Sequence, residues 1–124
     1  MDSDDDPGLA RLRELALALP GAREKRVVSI PAFFTKKVFA YWGMPYKLDG
    51  HVLRRPTLSV LLPDAERLAL LQSGRAHIPM YIGPHGWVGV VVDADSDWAE
   101  LAELVEESFR ETAPKRLVAE LDAR

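Results

Sequence analysis

The basic residues of this chain concentrate between residues 21 and 56, where eight lysines and arginines accompany only two acids. Such a cluster suits phosphate binding, because neutralising phosphates releases condensed counterions and so adds affinity. Tyr41 or Tyr46 would offer a stacking surface for the bases of a single strand. In the predicted nucleic-acid site, phosphates are neutralised by Lys36, Lys37, Arg54 and Arg55, and the track is extended by Lys25 and Arg26. The simpler alternative is that these cations line sheet edges and discourage aggregation.

A second candidate site is the glycine- and proline-containing loop Pro79–Trp87. Its ring-bearing residues, Tyr81, His85 and Trp87, would line a small-molecule pocket or contact a protein. His85 would titrate near neutral pH, but the sequence places no acid or nucleophile beside it. The simpler alternative is that Trp87 begins a core strand and Tyr81 packs over it.

The sequence carries no catalytic or metal-binding signature. It has no cysteine, which excludes disulfides, thiolate metal sites and cysteine nucleophiles. The histidines lack the paired spacing of a zinc motif, and the acids of residues 93–97 lack the glycine and glutamate of a calcium loop. Ser59 and Ser108 fall in predicted regular elements without a paired base, and no P-loop or dinucleotide-binding pattern occurs. We therefore expect no catalytic residue, no metal ligand and no cofactor.

Length and composition indicate one globular domain. The chain has 124 residues, of which 48% are hydrophobic and 28% charged, as in ordinary soluble proteins. No stretch approaches the ~18 apolar residues of a membrane span, and the acidic start resembles no secretory signal. We expect a cytoplasmic monomer or homodimer without a membrane partner, with a disordered segment over residues 1–6 and one domain over 7–124.

Local signals predict the elements that would position these sites. Asp6 and Pro7 mark a helix start, and Asp97 with Glu100 forms a capping box. The predicted helices cover residues 7–18, 64–73, 97–112 and 115–121, and the predicted strands cover 23–28, 32–34, 37–42, 57–62 and 87–92. The segment 43–56 contains the turn pair Asp49–Gly50 and is either a short hairpin or a mobile loop.

These elements predict an α+β fold with a single antiparallel sheet and helices packed on it, because strands joined by short turns pair antiparallel. Pro31 is expected to separate the first two strands. Residues 87–92 are almost continuously apolar, so this strand is expected to be central. In the second helix, Ala65, Leu68 and Leu71 are expected to face the core.

Four segments resemble the MmcQ/YjbR family when taken in order along the chain: Leu17–Ala22, Phe33–Ala40, Pro79–Val88, and Glu107–Arg110 followed by Pro114–Lys115. The resemblance covers about residues 8–118 and implies a frataxin-like, or CyaY-like, fold. It implies little about activity, since most members have no assigned function, although a "double wing" DNA-binding role has been suggested for some. The stretch from Gly43 to Pro56 is longer than the family pattern.

The leading hypothesis is therefore a non-enzymatic binding module that contacts DNA or RNA through its basic strands. The competing hypothesis is an adaptor for a protein or a small ligand that uses the Pro79–Trp87 loop. The first predicts steep salt dependence, whereas the second predicts weak salt dependence and sensitivity to changes at Tyr81 or His85.

Overall fold

The computed structural model describes residues 6–124, and the predicted segment of disorder falls almost wholly outside that range. The elements in chain order are α1 (Pro7–Leu17), β1 (Arg23–Val27), β2 (Ile30–Phe34), β3 (Val38–Trp42), β4 (Tyr46–Leu48), β5 (His51–Leu53), β6 (Thr57–Leu61), α2 (Asp64–Gln72), β7 (Trp87–Val91), α3 (Trp98–Thr112) and α4 (Lys115–Asp122). Within residues 6–124, no helix combines the length and apolarity that a bilayer crossing requires.

Five strands form one antiparallel sheet in the order β1-β2-β3-β6-β7, which confirms the predicted α+β class. The register places Ala40 opposite Val60 and Val60 opposite Val88, and all three are buried. Because strand side chains alternate, this row and its neighbours form one apolar face. Helices α1 and α3 cover that face, where the ring of Phe109 meets Phe39 edge-on at 5.6 Å.

Ser108 fastens α3 to the centre of the sheet. Its hydroxyl donates to the carbonyl of Phe39 at 2.6 Å and accepts from the backbone N–H of Leu61 at 2.9 Å. The side chain is fully buried. It therefore satisfies polar backbone groups of β3 and β6 that would otherwise face an apolar helix.

A second, two-stranded ladder joins β4 to β5 through the turn Asp49–Gly50. Both turn residues have positive φ, 51° and 81°, as a type I′ hairpin requires. The hairpin alternative for residues 43–56 is therefore confirmed. Isolated bridges connect Tyr46 to Pro79 and His77 to Gly89, so the chain around residues 77–79 links this ladder to β7.

The prediction that the Trp87 strand is central was wrong, since β7 lies at the edge of the sheet. It is nevertheless buried at four of its five positions. His77 exchanges two backbone hydrogen bonds with Gly89, at 2.8 and 2.9 Å, on the outer side of β7. An edge strand that is covered in this way has the apolar sequence of a central one.

Two further expectations are corrected. Pro31 lies inside β2 opposite Arg26, next to the Val27–Ile30 pair that closes a two-residue turn. In an antiparallel ladder, hydrogen-bonded and non-hydrogen-bonded residue pairs alternate, and the pair that closes a two-residue turn is hydrogen-bonded. The next pair, Arg26 with Pro31, is therefore not hydrogen-bonded, so proline fits there although it has no N–H.

The predicted apolar stripe of α2 is only partly correct. Ala65 and Leu68 are exposed, Leu68 at 48%. Leu71 packs against the core as predicted, together with Leu70. The helix rests on β7 at the rim of the sheet, where only its last turn reaches the core.

Candidate ligand-binding pocket

The sheet face opposite α1 and α3, called here the outer face, is built around a row of aligned residues. Successive strands contribute Lys25, Ala32, Tyr41, Ser59 and Gly89 to this row. The last two are small and buried, which leaves room for chain segments to lie directly on the sheet.

His77 occupies that room. A β-carbon added at Gly89 would lie 2.4 Å from Nε2 of His77, so glycine is required there. The imidazole ring stacks on Tyr46 with centroids 3.7 Å apart. The His77 Nε2 atom is buried without a hydrogen-bond partner, and burial lowers the pKa of His77 to about 4. A neutral ring thus fixes β4 and the following loop over the outer face.

Beside this fixed region lies a cavity of about 560 Å³, called here the outer-face pocket. Its lining consists of Val27, Val28, Ile30, Tyr41, Met44, Pro45, Arg54, Tyr81 and Ile82. The volume falls within the ~300–1,000 Å³ of small-molecule sites, and the combination of apolar walls with a few polar groups is typical of them. Among the described lining residues, the polar side chains are two phenols and one guanidinium.

Two lining residues at the rim of this pocket, Val28 and Tyr81, adopt backbone conformations that disfavour their side chains. Val28 and Ser29 form a two-residue turn with φ of 48° and 69°, although Val28 is β-branched and 92% exposed. Glycine or asparagine is the usual choice at such positions. A left-handed β-branched residue costs roughly 1–2 kcal/mol, so a solvent-facing valine is unexpected on grounds of stability.

Tyr81 is the second strained residue. It has φ of 68° at the centre of a γ-turn, in which Ile82 N–H donates to Met80 C=O at 2.7 Å. This type of γ-turn is rare and strained. Met80 N–H in turn donates to Pro45 C=O at 2.9 Å, which ties the turn to the opposite wall. The Tyr81 side chain is 72% exposed, and strained residues held in this way concentrate at binding sites.

Tyr41 and Arg54 supply the polar groups inside this apolar frame. Tyr41 is half-buried against Trp87, with ring centroids 5.1 Å apart. Burial raises the pKa of the Tyr41 phenol, so the hydroxyl stays protonated at neutral pH and can donate a hydrogen bond. Arg54 follows β5 and brings a positive charge to the pocket.

The structure separates the three predicted loop residues. Tyr81 lines the pocket. Trp87 is only 8% exposed and supports Tyr41 from behind. His85 lies exposed in a short 3-10 turn, Gly83–His85, and is not part of the lining. Sequence reasoning missed the contribution of Val27, Val28 and Ile30, although an unsuitable residue pair in a two-residue turn was a readable signal.

The predicted basic set is distributed over both ends and both faces of the sheet. Lys25 lies on the outer face, with its ammonium 4.5 Å from the ring centroid of Phe34. Arg26, one residue later, lies on the helix side of β1 and donates to the carbonyl of Ser29. Arg54 lines the outer-face pocket and Arg55 is exposed beside it in sequence; the turn at the opposite end of β2 and β3 carries Lys36 and Lys37.

No group of three or more histidine, aspartate or glutamate residues in the described part of the chain is arranged to hold a metal ion.

The family model described as YjbR matches residues 17–111, well over half of the chain. No curated protein and no solved structure matches this chain significantly.

Proposed function

We propose that this chain, which belongs to the YjbR family, is a cytoplasmic binding protein for a small organic anion with an apolar body. The observation that carries the proposal is the outer-face pocket itself. Apolar walls enclose about 560 Å³, one guanidinium supplies the only charge among the described lining residues, and two strained residues stand at the rim.

Each part of the pocket has a role in this proposal. Arg54 would pair with a carboxylate or sulfonate, whose two oxygens match the fork of a guanidinium. Tyr41 would donate a further hydrogen bond from its protonated phenol. Val28 and Tyr81 would close over the apolar body of the ligand, which would bury side chains that are otherwise left in water. The described lining contains no nucleophile paired with a base, so we propose binding without turnover.

The test uses 1-anilinonaphthalene-8-sulfonate, an aromatic sulfonate, and N-phenyl-1-naphthylamine, which shares its framework without the charge. Titration calorimetry should give one site for the sulfonate. Arg54→Gln should weaken sulfonate binding about tenfold or more, as expected for the loss of a hydrogen bond to a charged group. The affinity of this variant for the neutral amine should barely differ from that of the wild type.

Arg55→Gln is the matched control, because Arg55 is adjacent and exposed but does not line the pocket. It should leave both affinities unchanged. Equal losses in the two arginine variants, or several weak sites for the sulfonate, would overturn the proposal.

Nucleic-acid binding is the second candidate, and one observation favours it. Arg23 and Lys25 lie over the ring of Phe34 on the outer face, at 5.0 and 4.5 Å from its centroid. They would form a short basic track with Lys36 and Lys37 at its end.

Fluorescence anisotropy with labelled single- and double-stranded DNA at several salt concentrations tests this candidate. Binding should weaken with a log–log slope equivalent to about three or more phosphate contacts. The double variant Lys36→Glu/Lys37→Glu should abolish it. Absence of binding at low salt would remove nucleic acid from consideration while leaving the outer-face pocket untouched.

A further inference from the structure

A second cavity, of about 360 Å³, lies at the opposite end of the sheet from the outer-face pocket. It is called here the α4 pocket, and its lining consists of Gly21, Arg23, Thr35, Lys36, Pro114, Arg116 and Leu117. Three of these residues are cations, and they come from three separate elements: the start of β1, the β2–β3 turn and the first turn of α4. No acid is among the lining residues that belong to the described part of the chain.

These cations lack the partners that other arginines of the chain have. Arg13 pairs with Glu24 at 2.6 Å, and Arg110 pairs with Asp122 at 2.8 Å. Within residues 6–124, by contrast, no carboxylate forms an ion pair with Arg23, Lys36 or Arg116. Like charges that converge on a concave surface without counter-charges favour an anion there.

The N-terminus of α4 adds to this positive potential. Pro114 precedes the helix and provides no side-chain cap, and the first turn contains no acid. Its first turn carries two cations instead, of which only Arg116 lines the α4 pocket. The first backbone N–H groups of a helix have no intrahelical acceptor, so an anion would satisfy both these N–H groups and Arg116.

The α4 pocket is also rigidly held. Leu117 is 5% exposed and packs against Gly21, where an added β-carbon would lie 2.9 Å from a leucine methyl group. This contact sets the distance between the start of α4 and the start of β1.

We propose that the α4 pocket binds the dianionic phosphoryl group of a small phosphate monoester. Three cations and a helix N-terminus exceed what a single carboxylate needs, whereas a dianion with three terminal oxygens would engage several of them together. The concave site would take a terminal phosphoryl group. This function goes beyond the organic-anion site, which lies at the other end of the sheet and shares no lining residue with it.

The test is titration calorimetry at low ionic strength and pH 7.5, with inorganic phosphate and phenyl phosphate as probes. Both should bind one site with Kd below about 1 mM. Arg116→Gln should weaken the binding of both probes about tenfold or more, because it removes a charge-assisted hydrogen bond to the phosphoryl group.

Lys115→Gln is the matched control, since it removes the neighbouring cation from the same helix turn without touching the lining. Its effect should stay below about threefold. Equal losses in the Arg116 and Lys115 variants would indicate diffuse attraction and overturn the proposal, as would absence of saturation up to about 10 mM phosphate.

A pair of oligothymidylates distinguishes a terminal phosphoryl group from a nucleic-acid backbone. The strand with a 5′-phosphate should compete with phenyl phosphate better than the same strand with a 5′-hydroxyl. Equal competition would overturn the proposal in favour of backbone binding. The affinity for the naphthalene sulfonate should be the same in Arg116→Gln and the wild type. The α4 pocket and the outer-face pocket are therefore tested independently of each other.

Discussion

Protonation of His77 should destabilise the folded protein as the pH falls. His77 stacks on Tyr46 with its Nε2 atom buried and unpartnered, and burial lowers its pKa from 6.5 to about 4. The unfolded chain therefore binds a proton at a pH where the folded protein does not. The stabilisation is fully present above pH 6.5 and is lost as the pH falls towards 4.

The size of this effect follows from the shift. The difference between 6.5 and about 4, at 1.36 kcal/mol per pKa unit, corresponds to a total of about 3 kcal/mol. Roughly 2 kcal/mol of that total should be lost between pH 7 and pH 4.5. For a domain with a few kcal/mol to spare, such a loss is easily measured.

Urea unfolding of the wild type and of the His77→Phe variant at several pH values would measure this loss of stability. The variant keeps an aromatic ring against Tyr46 but cannot bind a proton. Carboxylates titrate equally in both proteins, so the difference between their pH dependences isolates His77. Identical pH dependences would refute the reasoning, as would an NMR titration placing the His77 midpoint near 6.5.

Three further changes have expected outcomes. Ser108→Ala should lower the free energy of unfolding by about 2–3 kcal/mol in urea, because it strands buried backbone groups of β3 and β6. Val28→Asn with Ser29→Gly should raise it by roughly 1–2 kcal/mol by relieving turn strain, and should weaken naphthalene sulfonate binding. Glu66→Gln should flatten the pH dependence of the melting temperature between pH 5 and 8. The hydrogen bond to Glu66, burial and neighbouring acids raise the pKa of Glu107 to about 7, so the contribution of this carboxyl to stability falls as the pH rises towards 7.

Controls for these changes come from the same chain. Ser73→Ala alters an exposed serine, so it should cost much less than Ser108→Ala, and equal costs would contradict the bridging role. A turn double variant that is less stable than the wild type would show that Val28 is not strained. For Glu66→Gln, an unchanged melting profile between pH 5 and 8 would contradict the carboxylate interaction.

Local sequence alone determined where helices α1 and α3 begin. Asp6 accepts a hydrogen bond from Gly8 N–H at 2.8 Å, as an N-cap followed by proline predicts. Asp97 caps α3 by accepting from Ala99 and Glu100, as predicted, whereas the Glu100 carboxylate pairs with Arg75 and does not complete the predicted capping box. Family membership was likewise readable from four short segments, whereas the CyaY-like comparison stays a prediction.

Tertiary structure decided which residues meet. Lys25 and Arg26 are neighbours in sequence but lie on opposite faces of β1, because strand side chains alternate. β7 lies at the edge of the sheet, and its free side is covered by pairing with His77, a residue outside the strands.

The outer-face pocket is the clearest case of a site that only the tertiary structure brings together. It draws its lining from four separate stretches of the chain, namely residues 27, 28 and 30, residues 41, 44 and 45, residue 54, and residues 81 and 82. These stretches meet only after the sheet has formed and the loop has folded over it. Caps, turns and periodicity act over a few residues along the chain, whereas a cavity depends on contacts between distant segments, which no local signal encodes.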